Sequence, residues 1–435
     1  MRRLPWTKKL ISRRDRAVAC LPLIAALVVT SPSVQSEGWE HGGHLKYQYT
    51  HTDYRHTDVA AVFGDDPASD HSLDGRFKAE WRGRGFDFSV HYEVLALAGD
   101  SVATSRALAA AGLLTIGTVS GLPDDRHRLF DLTDDFIDDN RAVAVHRLDR
   151  LSLGYTSGSA TLRFGRQAVS WGNGLAFQVL DFVNPFSPLA IDKDYKTGED
   201  MLYGQWQWTG LGDAQLMLLP RRDRQTRDLD HEQASQALKL HTRAGGFDVD
   251  ALVARHYDQT LFGFGVVHSL GGAVWRFDAL QTDVPGRDAT WSWLSNIDVS
   301  WVLFDRNMYG FAEYYRNGFG SARASGYLAA DPELSARLAR GEIYTVGRDY
   351  ATLGVQVEWS PLVNAFATII QNLNDASRIL QLRGVYDWRQ DTQFMAGLNL
   401  PDGERGSEYG GLSAGLPGTW VSPGRSIYLR AAYFF

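Results

Sequence analysis

Cysteine is nearly absent from this sequence: one residue, Cys20, stands in 435. A disulfide scaffold is therefore excluded. Basic charge is in deficit, with 44 Lys and Arg against 51 Asp and Glu, which argues against a nucleic-acid partner. Beyond residue 29 no stretch reaches 18 consecutive apolar residues, so no transmembrane helix is expected. No Pro- or Ser-rich linker divides residues 37–435, and a length that ordinarily predicts two or three domains reads as one. Signals of catalysis are missing too. No serine sits in a nucleophile-elbow pattern, and His268 and Ser269, adjacent in a strand, face opposite ways. The only tight histidine pair is His41 and His44, which a solvated terminus explains without a metal. The expectation is neither an enzyme nor a metal protein.

What is present begins with a basic start and an apolar run. Residues 1–36 carry Arg2, Arg3, Lys8, Lys9, Arg13, Arg14 and Arg16 against Asp15, followed by "AVACLPLIAALVV". That run falls short of the about 20 residues a spanning helix needs. "SPSVQS" comes next, with Val34 and Ser36 at the minus-three and minus-one positions before Glu37. This predicts a secretory signal peptide over 1–36, cleaved near Ser36, and one domain over 37–435. The twin arginine of "SRRDRA" is followed by Asp15 and Arg16 where that export signal turns apolar, and Cys20 opens the run that a lipidated cysteine would close, so general secretion is expected. Residues 1–36 hold seven of the 44 basic and one of the 51 acidic groups, leaving 37 against 50, a formal charge of −13.

Alternation with a period of two then recurs along the chain. In "LDGRFKAEWR" (73–82), Leu73, Phe77 and Trp81 share one face while Asp74, Arg76, Lys78, Glu80 and Arg82 share the other. "FDFSVHYEVLA" (86–96), "LGVQVEW" (353–359) and "LQLRGVYDW" (380–388) repeat the pattern. The last ten residues, "SIYLRAAYFF", place Ile427, Leu429, Tyr433 and Phe435 on one face. Eighteen such strands are predicted, from 43–52, 72–82 and 86–97 through 147–155 and 159–170 to 392–400 and 426–435.

The joints between them discriminate a membrane barrel from a soluble sandwich. Alternate joints are tight, as in "GRG" (83–85), "AGG" (244–246), "LGG" (270–272) and "DR" (305–306), and most of the others are long, notably 98–146, 171–200, 318–349 and 401–425. Short turns at one end, long loops at the other and an even strand count are the layout of an outer-membrane β-barrel, which closes on itself and leaves no backbone group unpaired in hydrocarbon. The expected fold is an all-β, antiparallel, up-and-down transmembrane barrel of about 18 strands in the bacterial outer membrane. Trp206, Trp208, Trp301 and Trp388 near strand ends suit an aromatic girdle. Tyr433 and Phe435 are read as the terminal signal for the barrel-assembly machinery, with outer-membrane lipid and lipopolysaccharide as surroundings.

Facing assignments send Arg76, Lys78, Glu80, Arg82, Glu93, Arg163, Lys239, Arg243, Arg276, Asp278, Glu358 and Arg383 to the lumen. The full lumen-facing set is balanced in sign. Two basic ladders, Arg76, Lys78 and Arg82 on one strand and Lys239, His241 and Arg243 on another, suit charge-assisted contacts to an anion; solvation and cross-lumen pairing are the plainer use.

The most distinctive stretch runs from Leu162 to Gln205. Its alternation would turn Arg166 outward, and apolar Leu180, Phe182 and Val183 lie beside charged Asp181, Lys193 and Lys196. Residues 171–200 are expected to fold inward as a constriction loop, with Arg166, Trp171, Asp181, Asn184, Lys193 and Lys196 as its functional side chains; an external loop packed on its neighbours is the other reading. "GRQ" (165–167), "WG" (171–172) and "NP" (184–185) give this stretch a resemblance to porin-like outer-membrane barrels grouped with alginate-export proteins and related uncharacterised families. The resemblance implies an 18-stranded barrel with a basic lumen that takes an anionic polysaccharide.

Two further loop features are legible. "DPELSARLARG" (331–341) has a capping Asp331, Pro332 at the first helical position and Gly341 as terminator, which predicts a short helix. "DLTDDFIDDN" (131–140) gathers five aspartates, a candidate for Ca2+ or Mg2+ at an extracellular loop, although it lacks EF-hand spacing; a solvated acidic face, or one bridged to lipopolysaccharide, is the plainer reading. No other cofactor is expected. The functional expectation is a porin-like channel for small or anionic solutes, and the alternative a closed barrel serving as an export, assembly or adhesion partner of a periplasmic carrier.

Overall fold

A computed structural model describes residues 38–112, 122–208, 212–327 and 331–435. The predicted signal peptide with its cleavage site lies outside these residues. Within them, eighteen antiparallel strands close into a barrel. They are β1 (Trp39–Asp53), β2 (Ala68–Gly83), β3 (Phe86–Gly99), β4 (Ala142–Ser157), β5 (Ala160–Gln167), β6 (Glu199–Trp208), β7 (Gly212–Arg222), β8 (Leu229–Ala244) and β9 (Phe247–His256). The second half comprises β10 (Gln259–Leu270), β11 (Ala273–Asp283), β12 (Thr290–Leu303), β13 (Arg306–Arg316), β14 (Asp349–Ser360), β15 (Val363–Asn372), β16 (Arg378–Arg389), β17 (Thr392–Asp402) and β18 (Arg425–Phe434). Each pairs with its neighbours in sequence, and β18 closes on β1 from His44↔Phe434 to Asp53↔Arg425.

The tight turns gather at one end. Gly245 and Gly246 both take positive φ, as a two-residue turn matching the strand twist requires. Phe304 and Asp305 do the same without glycine. Around this end stand the exposed rings of Phe86, Trp206, Trp301, Trp359, Trp388 and Phe435. Above them the outer face is apolar: Leu153, Phe164, Leu216, Phe264, Leu353 and Leu429 all point away from the barrel and are exposed. Leaving one such side chain in water instead of burying it forgoes about 1.5–3 kcal/mol, so a belt of this extent belongs in hydrocarbon. No described helix is long and apolar enough to cross a membrane.

The other end carries the long connections. Helix α1 (Val59–Phe63) follows β1, α2 (Asp100–Ala110) follows β3, and α3 (Pro332–Arg340) lies between β13 and β14. The α3 signals act as expected, with the Asp331 carboxylate accepting from the Glu333 N–H and Gly341 ending the helix at φ 71°. Here the strands outrun their predicted limits, β2 starting at Ala68 and β4 at Ala142. Above the hydrocarbon both faces meet water or loops, and alternation no longer marks the strand.

One part of the wall is incomplete as strands alone. β5 ends at Gln167 and β6 begins at Glu199, while β4 rises well above them, Leu151 already pairing with Arg166. A strand at Thr133–Asp139 pairs with the upper part of β4, and the His127 carbonyl accepts from the Arg222 N–H of β7 at 2.9 Å. Residues 127–139 thus bridge the notch from β7 to β4. Arg166 sits beneath this patch, fully buried, donating to Asp200 at 2.8 and 3.0 Å, to Asp125 at 2.9 Å and to the Phe130 carbonyl at 2.8 Å. This corrects its assignment to the constriction loop. The period of two continues unbroken through Arg166, so it faces outward beside Phe164, and the covering segment supplies its partners.

A loop folded into the lumen

The connection between β5 and β6, residues 168–198, enters the barrel. On one side it docks through backbone groups onto carboxylates of the wall. The N–H groups of Leu175, Ala176 and Phe177 donate to Glu313 of β13 at 2.7, 3.1 and 2.8 Å, and Asn296 of β12 donates to the same carboxylate at 3.0 Å. Asn173 gives Asp278 of β11 its backbone N–H at 2.6 Å and its side-chain amide at 2.7 Å. The turn is too tight for a side chain at Gly174, where a Cβ would lie 1.6 Å from the Phe177 carbonyl oxygen. Trp171 donates to Gln215 of β7 at 2.7 Å.

Apolar side chains complete this side. Phe177 stacks on Tyr315 with centroids 4.4 Å apart, and Leu180, Phe182 and Val183 share a core with Met217, Leu252, Ala254 and Leu261. The latter lie on the inner face of β7, β9 and β10, which strict alternation reserves for water. Sequence reasoning missed them, and the signal was there: apolar residues on the wet face imply an apolar occupant.

The returning limb crosses to the opposite wall. Lys46 of β1 reaches Asp192 at 2.8 Å and Asp194 at 2.5 Å, and Arg430 of β18 also binds Asp192. Burial opposes ionisation of Asp192, yet Arg430 and Lys46 hold it down to about 2. Tyr195 accepts from Lys78 at 2.9 Å and lies under the Arg76 guanidinium, 4.4 Å from the ring centroid. Lys196 ties the loop to itself, its ammonium 2.5 Å from both Asp181 and the Val169 carbonyl. Burial pushes Asp181 up to about 6, against the pull of Lys196. Asn184 donates to Glu199 at 2.7 Å.

The predicted lumen residues therefore separate into groups. Asp278 is a loop anchor with no exposure. Arg76 and Glu93 form a buried network with Arg147 and Asp149. Arg163 pairs with Asp87, Lys239 with Asp250 and Arg276 with Asp298. Arg82 with Glu80, Arg243 with Asp248, and Glu358 with Asn307 stand near the turn end, away from the loop. Lys78 has only the Tyr195 hydroxyl, Arg383 lies over the Phe366 ring at 4.2 Å, and Lys193, on the returning limb of the loop, is near enough to Arg383 to feel its charge. No carboxylate among the described residues pairs with these three. Enclosure within the lumen and the Arg383 charge hold the Lys193 ammonium below the ordinary lysine range. Gln356, Thr368, Gln381 and Asn399 line the neighbouring inner face of β14–β17, half-buried and neutral.

One constellation invites a catalytic reading. Ser235, His256 and Glu342 form a chain, 2.7 Å from the serine hydroxyl to Nδ1 and 3.0 Å from Nε2 to the carboxylate. The hydroxyl is completely buried and also accepts from Arg221 at 2.5 Å, so it meets no substrate. The group instead fastens the segment after α3 to the wall. The aspartates of 131–140 are divided by the strand they form, Asp131 pairing with Arg227 and Asp138 with Arg106. Among the described residues no three His, Cys, Asp or Glu side chains are grouped to hold a metal.

No protein-family profile matches the chain, and no curated protein does. Solved structures match along its length. OccAB2 of Acinetobacter baumannii is 9% identical, with 93% of this chain and 99% of that one covered and a TM-score of 0.50. OpdK of Pseudomonas aeruginosa, solved with vanillate, is 10% identical over 92% and 99%, with a TM-score of 0.50. A BenF-like porin from Pseudomonas fluorescens is 9% identical over 92% and 99%, with a TM-score of 0.51. At such identity the likeness is one of fold, the barrel of porins, which are channels rather than enzymes. None of the three links the chain to alginate-export barrels.

Proposed function

We propose that the protein is an outer-membrane diffusion channel selective for small anionic solutes, its short turns in the periplasm and its long loops outside the cell. The observation that carries this reading is the imbalance at the constriction. Lys78, Lys193 and Arg383 face the passage without carboxylate partners, whereas the acidic groups nearby are held by the loop or by other cations. Three fixed cations in a narrowed, weakly screened passage raise the local concentration of anions and repel cations. The neutral side chains of Gln356, Thr368, Gln381 and Asn399 beside them offer hydrogen bonds without trapping the solute. Vanillate, bound to OpdK, is a carboxylate of suitable size to test here. Outward-facing Tyr433 and Phe435 on the closing strand are proposed as the contact for the barrel-assembly machinery.

The test is reversal potential in a planar bilayer under a salt gradient. An anion-selective value that moves toward zero in Lys193→Gln with Arg383→Gln supports the reading. Cation selectivity in the wild type, or a silent membrane with a heat-modifiable, folded barrel, overturns it and leaves the closed-barrel partner role.

A further inference from the structure

On the outer face, directly above the apolar belt, the patch that completes the wall forms a pocket of about 360 Å³ with the loop end of β7. Leu129, Phe130 and Leu132 supply its apolar side, and Arg222, Arg227 and Asp131 its polar side. The position is set by two observations. The Phe130 ring meets Phe164 of the belt edge-on, with centroids 6.0 Å apart. Arg222 follows Leu216 and Leu218 on β7 at a spacing of two, which puts it on the outward face. Below the pocket the wall is apolar, and the connection that follows Arg222, residues 223–228, is polar.

Arginine at such a level needs a reason. Arg222 gives Nε to the Leu129 carbonyl at 3.2 Å and one terminal nitrogen to the Arg227 carbonyl at 2.9 Å. Neither acceptor neutralises its charge. Arg227 donates to Asp131 at 2.9 Å, so one of the two cations is compensated and the other is not. A guanidinium that keeps donors free beside an apolar surface matches an amphiphile whose anionic group is phosphate and whose chains run down the belt.

Resting on the outer-membrane reading, we propose that this pocket binds the phosphate of an outer-leaflet lipid, held by Arg222 and Arg227, with the acyl chains lying over Leu129, Phe130 and Phe164. The site lies outside the lumen, so it is separate from the solute path. It ties a lipid to the patch of residues 127–139 that covers the notch between β4 and β7.

The experiment is native mass spectrometry of the full protein in detergent, titrated with bisphosphorylated lipid A, fully dephosphorylated lipid A and inorganic phosphate. Retention of the bisphosphorylated form, at least tenfold better than of the dephosphorylated form, is expected. Arg227→Gln, whose side chain is not part of the wall, should weaken retention severalfold, and Arg222→Gln more so. Arg224→Gln, in the same loop and near Asp124, is the control and should change nothing. Equal retention of both lipids, equal loss in all three variants, or binding of inorganic phosphate as strong as that of the lipid overturns the proposal. Bilayer recordings on the same variants separate the two readings: unaltered ion selectivity with lost lipid leaves the channel standing, and retained lipid with no conductance leaves the pocket standing.

Discussion

Asp181 and Lys196 meet inside the barrel at 2.5 Å, both almost entirely buried, and close the two limbs of the lumen loop on each other. The carboxylate is held up at about 6, above the ordinary aspartate value near 4, so the folded state takes its proton more readily than the unfolded one. Stability from this group is greatest at low pH and falls as pH rises through about 6. Lys196→Met removes the cation that offsets the buried charge. The variant should record as a quiet channel at pH 5, where Asp181 is protonated, and show added current noise at pH 8. Identical noise at both values would mean that Asp181 does not titrate in this interval.

Glu313 holds three successive backbone N–H groups of the loop. Glu313→Ala leaves these donors and Asn296 without their acceptor, at about 1–3 kcal/mol for each group that finds no substitute. The loop should detach from β13. Single-channel conductance is expected to increase and anion preference to decline, while the barrel keeps its heat-modifiable mobility. A conductance equal to wild type would place the narrowest point elsewhere.

Arg166 makes a different prediction because it belongs to the wall. Arg166→Met leaves Asp200 a buried carboxylate with no cation and Asp125 with Arg128 alone, a loss of about 3–5 kcal/mol by comparison with other broken buried pairs. Thermal unfolding should fall clearly while reversal potential stays unchanged. Altered selectivity with normal stability would restore Arg166 to the constriction.

Glu408 ties its loop to the segment before β14 and to the loop ends of β14 and β15, accepting from the Val346 N–H at 2.9 Å, the Tyr350 hydroxyl at 2.6 Å and Asn372 at 2.8 Å. Burial raises it to about 7. The native state is thus favoured by protonation, and stability from this site falls between about pH 4.5 and 7, then levels off, by about 3 kcal/mol in all. Glu408→Gln, neutral at every pH, should remove that part of the slope in thermal melts at pH 5 and 8. An undiminished slope would assign the dependence to other groups.

The sequence alone determined the strands, the closure and the two unlike ends. A membrane wall is read locally: each residue meets either lipid or lumen, so apolar and polar positions alternate along every strand, as in 73–82 and 426–435, and the turns follow their own chemistry. It also marked α3 by its caps, and in 171–200 it set buried-type residues beside charged ones, which fits a loop folded inward as well as one packed outside. Only the tertiary structure decided which lumen charges stay free. Lys46 and Asp192 are 146 residues apart, and nothing in either neighbourhood announces the other. Asp278 reads as a lumen charge until the loop's Asn173 is seen to occupy it, and Arg166 reads as a pore residue until the 127–139 patch covers it. Facing depends on the period of a single strand; pairing depends on segments that meet only after the barrel has closed.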